Sequence, residues 1–197
     1  FAGRDGHGVR IASARAGNVI GGGDWAAERI MTDCVAAFAA GEPVRLRNPL
    51  ATRPWQHVLE PLSGYLWLGA RLSDPDGASL ADGWNFGPRA DDIATVRTLT
   101  EMAGHVWGDG QWVLHDEASP PKEAMSLSLA VEKAARYLDW RPVWDLSTCV
   151  GKTVEWYRRW HDGAGPSLRA LSLEQIAAYE RDAVGRVSWA APARTAQ

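Results

Sequence analysis

Apolar and polar positions change places in short blocks along the chain, and the blocks predict strands and helices in turn. Val9 to Ala14 is an apolar β run that reads as a strand buried on both faces. From Glu28 to Ala40, Ile30, Cys34 and Phe38 fall four apart with Val35 beside them, as on one helix face. Gly41 stands where a left-handed glycine would end that helix. Pro43 to Arg47 alternates apolar and basic residues, which predicts a short edge strand with one face buried; Trp55 to Val58 predicts another strand. A helix start follows, with Glu60 in the cap position and Pro61 at the first helical one, where proline's missing N–H is harmless. Leu62, Leu66 and Gly69-Ala70 carry its apolar stripe to about Leu72.

Trp84 to Pro88 reads as a brief strand ending in a loop. Thr95 caps a helix lined by Val96, Leu99, Ala103 and Val106. Gln111 to His115 and Met125 to Leu129 read as two short strands around a loop, Asp116 to Glu123, with two prolines. The remainder is helical: Val131 to Leu138, then a helix capped by Asp145 with Leu146, Val150, Val154 and Tyr157 at helical spacing, then Leu171 to Ala183. From Gly185 the small, polar sequence predicts a frayed tail.

Strand–helix alternation of this kind points to an α/β fold. The 197 residues are enough for one domain with a core, or for part of a larger one. The chain opens on Phe1 with strand-type sequence from Val9, which reads as the middle of a longer protein entered at the end of a helix. A net charge of −3 argues against a nucleic-acid partner. No apolar stretch approaches the length of about eighteen residues that spans a membrane, and no signal peptide is recognisable, so the expected location is the cytoplasm. Cys34 and Cys149 lie in apolar helical patterns without metal spacing and read as reduced core residues. Eleven tryptophans spread through the chain suggest a tryptophan-rich core.

Candidate chemistry gathers after the first strand, in Arg15-Ala16-Gly17-Asn18-Val19-Ile20-Gly21-Gly22-Gly23-Asp24-Trp25. A ligand in an α/β sheet commonly sits outside the carboxyl end of a strand. Asn18 is placed there with an amide that both donates and accepts, and the three glycines let a ligand or another strand come close; a plain loop after a core strand accounts for the same residues. Arg53 can offer two N–H groups to a phosphate or be a solvated surface arginine. Asn85, before Gly87-Pro88, is a ligand residue or a turn former. Arg47 and Asn48 before Pro49 hold a polar ring or, more simply, make a turn. His57 fits a structural histidine, and a helix cap explains Glu60 better than a catalytic acid does. The spaced glycines that cradle a pyrophosphate are absent. No tyrosine has a lysine four residues on: Tyr65, Tyr137, Tyr157 and Tyr179 are followed there by Gly69, Arg141, His161 and Ala183. Neither a catalytic nor a cofactor-binding nor a metal-binding residue is therefore expected in this chain.

The stretch from Arg15 to Trp25 closely resembles the matching segment of CDP-glucose 4,6-dehydratases, extended short-chain dehydrogenase/reductases that act on nucleotide sugars. Three further segments resemble the same family in the same order: Leu46 to Leu66, which includes Ala51-Thr52-Arg53-Pro54-Trp55-Gln56-His57-Val58; Trp84-Asn85-Phe86-Gly87-Pro88; and Thr153-Val154-Glu155-Trp156-Tyr157. The resemblance implies the carboxyl-terminal portion of such a fold: the last strands of a Rossmann-type sheet over residues 1–26, a small mixed α/β substrate-binding region interleaved with returning sheet elements over 27–184, and a flexible tail over 185–197. It implies that Asn18 contacts the nucleotide sugar, that Arg53 grips the diphosphate with Asn85 near it, and that the Pro43 to Pro49 segment, with Leu46 and Arg47, borders the base.

The implied reaction is an internal redox cycle with bound NAD, in which a hydride leaves C4 of the sugar, water is lost across C5 and C6, and the hydride returns to C6. The cofactor loop, the tyrosine–lysine pair and the acid/base residues precede the strand at Val9 in such proteins, so this chain alone is expected to be inactive. Relatives often pair as homodimers through helices whose counterparts mostly precede Phe1. Lys122, Ala130 and Glu132 depart from the family's histidine, aspartate and serine in the segment that closes over the substrate. A non-catalytic nucleotide-sugar binding fragment, or part of a 4-epimerase or decarboxylase of the same superfamily, are the alternatives.

Overall fold

The structure, a computed structural model, describes residues 8–115, 124–163 and 168–190. In chain order it holds β1 (Ser13–Ala16), β2 (Asn18–Ile20), α1 (Ile30–Ala39), β3 (Val44–Leu46), β4 (Thr52–Arg53), β5 (Trp55–His57), α2 (Leu59–Ser73), β6 (Gly83–Phe86), β7 (Ala94–Thr95), α3 (Val96–Trp107), β8 (Trp112–Leu114), α4 (Glu132–Tyr137), α5 (Leu146–His161) and α6 (Leu168–Ala183). The strands pair in twos: β1 with β6, β2 with β5 and β3 with β8 in parallel, and β4 with β7 antiparallel.

β1 and β2 are one extended run that changes partner at Gly17. The Gly17 amide donates to the Phe86 carbonyl of β6, and the next amide, Asn18, donates to the Pro54 carbonyl beside β5. A Cβ on Gly17 would lie 2.5 Å from that Pro54 carbonyl oxygen, so only glycine lets the two runs come this close. Such a change of partner opens a crevice at the strand ends.

The helices bury their predicted faces. Met31, Cys34, Val35 and Phe38 of α1, Leu99 and Ala103 of α3, and Leu146, Cys149, Val150 and Val154 of α5 are buried; most of them form one core together with Trp55, Trp144 and Tyr179. A second cluster joins Leu68, Trp84, Phe86, Leu138 and Trp140 under α2 and α4. Thr95 and Asp145 cap α3 and α5, each side chain accepting from the amide three residues on. Gly41 has φ 70° just past α1, as a helix-ending glycine should. Both cysteines are free and buried.

Four expectations are corrected. The first strand lies at Ser13–Ala16 and is not buried on both faces, because β6 is its only partner among the described residues; Val9 and Ile11 are 54% and 58% exposed. No strand forms at Met125–Leu129. Thr52 donates to the Met125 carbonyl and accepts from Leu127, but the next rung would need an N–H from Pro54, which has none. Glu60 is not a cap: α2 starts one residue earlier, and the Glu60 side chain turns into the core, fully buried. From Gly185 the chain packs on as far as Ala190, with Val187 buried and Trp189 stacked on Tyr179. The loop at Asp116 to Glu123, which includes Lys122, lies outside the described residues.

Candidate functional site

The crevice below Gly17 widens into a cleft of about 650 Å³. Its walls come from β2, the first turn of α1, the end of β3, β4 and one residue of α5. Asn18, Leu46, Arg47 and Arg53 all line it, so four of the five expected binding residues face a common space. Asn18 is placed by the strand switch at Gly17. Leu46 is buried by the alternation of β3 and forms apolar floor, while Arg47, one residue on, emerges into the cleft. Arg53 is half-buried on β4, and its guanidinium donates to the carbonyls of Thr52 (2.9 Å) and Ala124 (2.8 Å), which aims the group across the mouth.

Asn85 is not in the cleft lining. It lies on β6 opposite Arg15, donates its amide to the Ala130 carbonyl at 3.1 Å, and keeps a buried amide oxygen with no partner among the described residues. The fifth expected residue thus sits on β6, outside the cleft that the other four line.

Asp24, Arg45, Asn48 and Tyr157, which lie in the segments singled out in the sequence, and Glu28, Arg29 and Asp33, which carry no signal there, complete the polar lining. The lip is fastened by Tyr157, which the helical pattern marks only as core. Its hydroxyl donates to the Asp24 carbonyl at 2.6 Å and accepts from the Asp24 amide at 3.1 Å. Burial raises the Tyr157 phenol above its ordinary range. Trp25 packs edge-on against the same ring and 4.4 Å from Trp160. Partial burial also raises the Asp33 carboxyl; Arg47 opposes the rise and Glu28 adds to it. Mixed charges of this kind suit a ligand that is anionic at one point and neutral elsewhere.

Of the glycine triplet only Gly21 lines the cleft, while Gly22 and Gly23 face the Trp156 ring. A Cβ on Gly22 would lie 2.1 Å from the Trp156 ring, so the space at that glycine is filled by the protein's own indole. The triplet also stops short of a helix: α1 begins only at Ile30. A dinucleotide cradle needs backbone amides at a glycine turn leading directly into a helix. These residues do not fit that group. Among the described residues no set of His, Cys, Asp and Glu could hold a metal ion, and no helix is long and apolar enough to cross a membrane.

Glu60 and His57 lie behind the cleft in the core. Glu60 accepts from the amides of Val143 (3.1 and 3.0 Å) and Trp144 (2.8 Å) and from the Tyr179 hydroxyl (2.7 Å). Burial nevertheless pushes its carboxyl up to about 7. His57 accepts from the Leu59 amide at Nδ1 and stands edge-on to Trp144. Burial, aided by Lys152, lowers it to about 4.

Comparison with known proteins gives the following likenesses. No protein-family model matches the chain. Over 173 residues it is 46% identical to the CDP-glucose 4,6-dehydratase of Salmonella typhimurium, a match covering 88% of this chain and 47% of that protein. The chain is thus similar to part of a CDP-glucose 4,6-dehydratase. It spans about half the length of that curated relative. Solved structures share its fold. The UDP-glucose-4-epimerase of Stenotrophomonas maltophila with bound NAD and formylated UDP-arabinopyranose superposes with a TM-score of 0.66 at 18% identity, over 81% of this chain and 51% of that one. The dTDP-glucose 4,6-dehydratase of Bacillus anthracis in complex with NAD gives 0.61 at 19%, over 76% and 45%. The UDP-glucuronic acid 4-epimerase of Bacillus cereus, in complex with UDP-glucuronic acid and NAD, gives 0.64 at 15%, over 77% and 46%. The chain therefore shares the mixed α/β fold of about half of each of these epimerases and dehydratases.

Proposed function

We propose that the cleft holds the nucleotide sugar of a CDP-glucose 4,6-dehydratase, within a protein that converts CDP-glucose to CDP-4-keto-6-deoxyglucose with NAD in the cytoplasm. The observation that carries this reading is the convergence of Asn18, Arg47 and Arg53, on three different strands or strand ends, in one cleft. Its volume of about 650 Å³ falls within the range of small-ligand pockets. Arg53, whose Nη1 already holds the Thr52 and Ala124 carbonyls, brings a positive charge for a diphosphate, and Asn18 supplies a donor and an acceptor for hydroxyls or phosphate oxygens. In this reading residues 1–26 end a Rossmann-type unit and 27–184 form the substrate-binding region. The dinucleotide, whose part is to take up and return a hydride, is held by residues outside this chain.

Calorimetric titration of the folded chain with CDP-glucose tests the binding role. The expected result is saturable binding without turnover, weakened about tenfold or more by Arg53→Ala. A well-folded chain that ignores CDP-glucose, or one that Arg53→Ala leaves unchanged, refutes it. Product analysis on a protein that contains this chain and turns over CDP-glucose separates a 4-keto-6-deoxy product from a 4-epimer.

A further inference from the structure

The helix α6 is apolar on two sides. One side buries Leu171, Gln175, Tyr179 and Ala183 and packs on α5, where Gln175 donates to the Lys152 carbonyl at 2.9 Å. At about 100° of turn per residue, the opposite side carries Ala170, Leu173, Ala177, Glu180 and Val184, in alternating steps of three and four. Leu173 and Val184 are 52% and 60% exposed, and Ile176 beside them is 40% exposed. A helix that packs on one side only has no use for a second apolar stripe. Steps of three and four are the spacing with which one helix meets another along its length. Two charges border the stripe. Glu174 and Arg181 fall on the same flank, two turns or about 10 Å apart along the axis. Both are exposed, and neither side chain makes a hydrogen bond or ion pair with another described residue.

We propose that α6 pairs with α6 of a second copy of this chain, antiparallel across a two-fold axis beside Ala177. A two-fold interface uses one patch twice, so each contact from the first copy to the second is returned. Antiparallel helices bring like flanks together. Turned about the point midway between Glu174 and Arg181, Glu174 of each copy stands level with Arg181 of the other. Opposite charges thus meet twice, and a slip of one turn separates both pairs, so the charges fix the register. An unrelated partner would not require the flank to be complementary to itself. In this register Leu173 of one copy lies between Glu180 and Val184 of the other, and Ala177 meets Ala177, whose methyl groups let the helices come close. The seam from Ala170 to Val184 is about 20 Å long, short of what a permanent dimer buries, and Glu180 brings a charge into it. The pairing is therefore weak and reversible. α6 gives no residue to the cleft, so the pairing does not depend on the nucleotide-sugar reading.

Sedimentation equilibrium of the 197-residue chain, from about 10 to about 500 μM, tests the pairing. The parent chain is expected to pass from one copy towards two across that range. Glu174→Arg or Arg181→Glu sets like charges against each other and is expected to weaken association about tenfold or more. The double variant, Glu174→Arg with Arg181→Glu, exchanges the signs of both partners and is expected to return association to within about threefold of the parent. Glu180→Leu takes the charge out of the seam and is expected to tighten association about tenfold or more. The melting temperature at low concentration should be unchanged in all four variants, because the replaced side chains are exposed. Association that ignores both single exchanges runs through another surface and overturns the proposal. Loss in both single variants without recovery in the double overturns the antiparallel register and the proposal with it. A parent chain that stays single at about 500 μM, or a Glu180→Leu variant that associates no more tightly than the parent, overturns it in favour of another occupant for this face.

Discussion

Glu60 and His57 should titrate against each other, and replacing one should expose the other. The Glu60 carboxyl is raised from 4.5 to about 7 in the folded chain, so folding favours its protonated form. The stability it contributes is complete below about pH 4.5 and is lost as pH rises through about 7. His57 is lowered from 6.5 to about 4, so folding favours the neutral ring, and the stability tied to it is restored as pH rises from about 4 to about 6.5. In the shared window each slope is about 1.4 kcal/mol per pH unit, and the signs are opposite. Between about pH 5 and about pH 6.5 each group moves stability by about 2 kcal/mol, and the two nearly cancel. Glu60→Gln removes only the falling arm. The variant should become more stable by about 2 kcal/mol from about pH 5 to about pH 6.5, where the parent chain stays nearly flat. It should also lose about 1–3 kcal/mol at about pH 5, because an amide N–H then faces the buried Val143 and Trp144 amides. Urea unfolding followed by tryptophan emission, at half-unit pH steps, reads both effects. A variant as flat as the parent, or one whose stability falls across the window, refutes the assignment of opposite slopes.

Other residues give direct tests. Gly22→Ala should destabilise the fold by about 1–3 kcal/mol, read as a lowered melting temperature, because its Cβ would collide with the Trp156 ring. Asn85→Ala should leave CDP-glucose affinity within about twofold of the parent, since Asn85 lies outside the cleft, while the loss of its bond to Ala130 lowers stability slightly. Leu66→Gln, at a side chain 76% exposed, should change stability by no more than about 0.5 kcal/mol yet reduce self-association seen by light scattering.

Much of this was legible in the sequence because the signals were local. Thr95 and Asp145 announced their helices by capping chemistry that needs nothing beyond three following residues. The four-residue spacing of Ile30, Cys34 and Phe38 placed the inner face of α1. Asn18, Leu46, Arg47 and Arg53 were found through long family-like segments, and the cleft brings them together. What escaped depended on remote partners. Glu60 looks like a cap in isolation because Val143, Trp144 and Tyr179, which receive its side chain, lie more than eighty positions away. Gly22 looks like room for a ligand until Trp156 is seen to fill it. Asn85 carries the same strand-end pattern as Asn18, but its strand faces Ala130 rather than the cleft. Asp33 is a polar position in a first helical turn, and such positions are acidic for many reasons.

The cleft borrows its walls from β2, α1, β3, β4 and α5, and among the described residues none of these three strands pairs with another. A molecule lodged there staples five separate lengths of chain into one piece. Occupancy should therefore appear as resistance to melting, about 2.7 kcal/mol at a hundredfold excess over Kd. A thermal-shift panel of sugar nucleotides can rank ligands for this cleft with no redox partner in the tube.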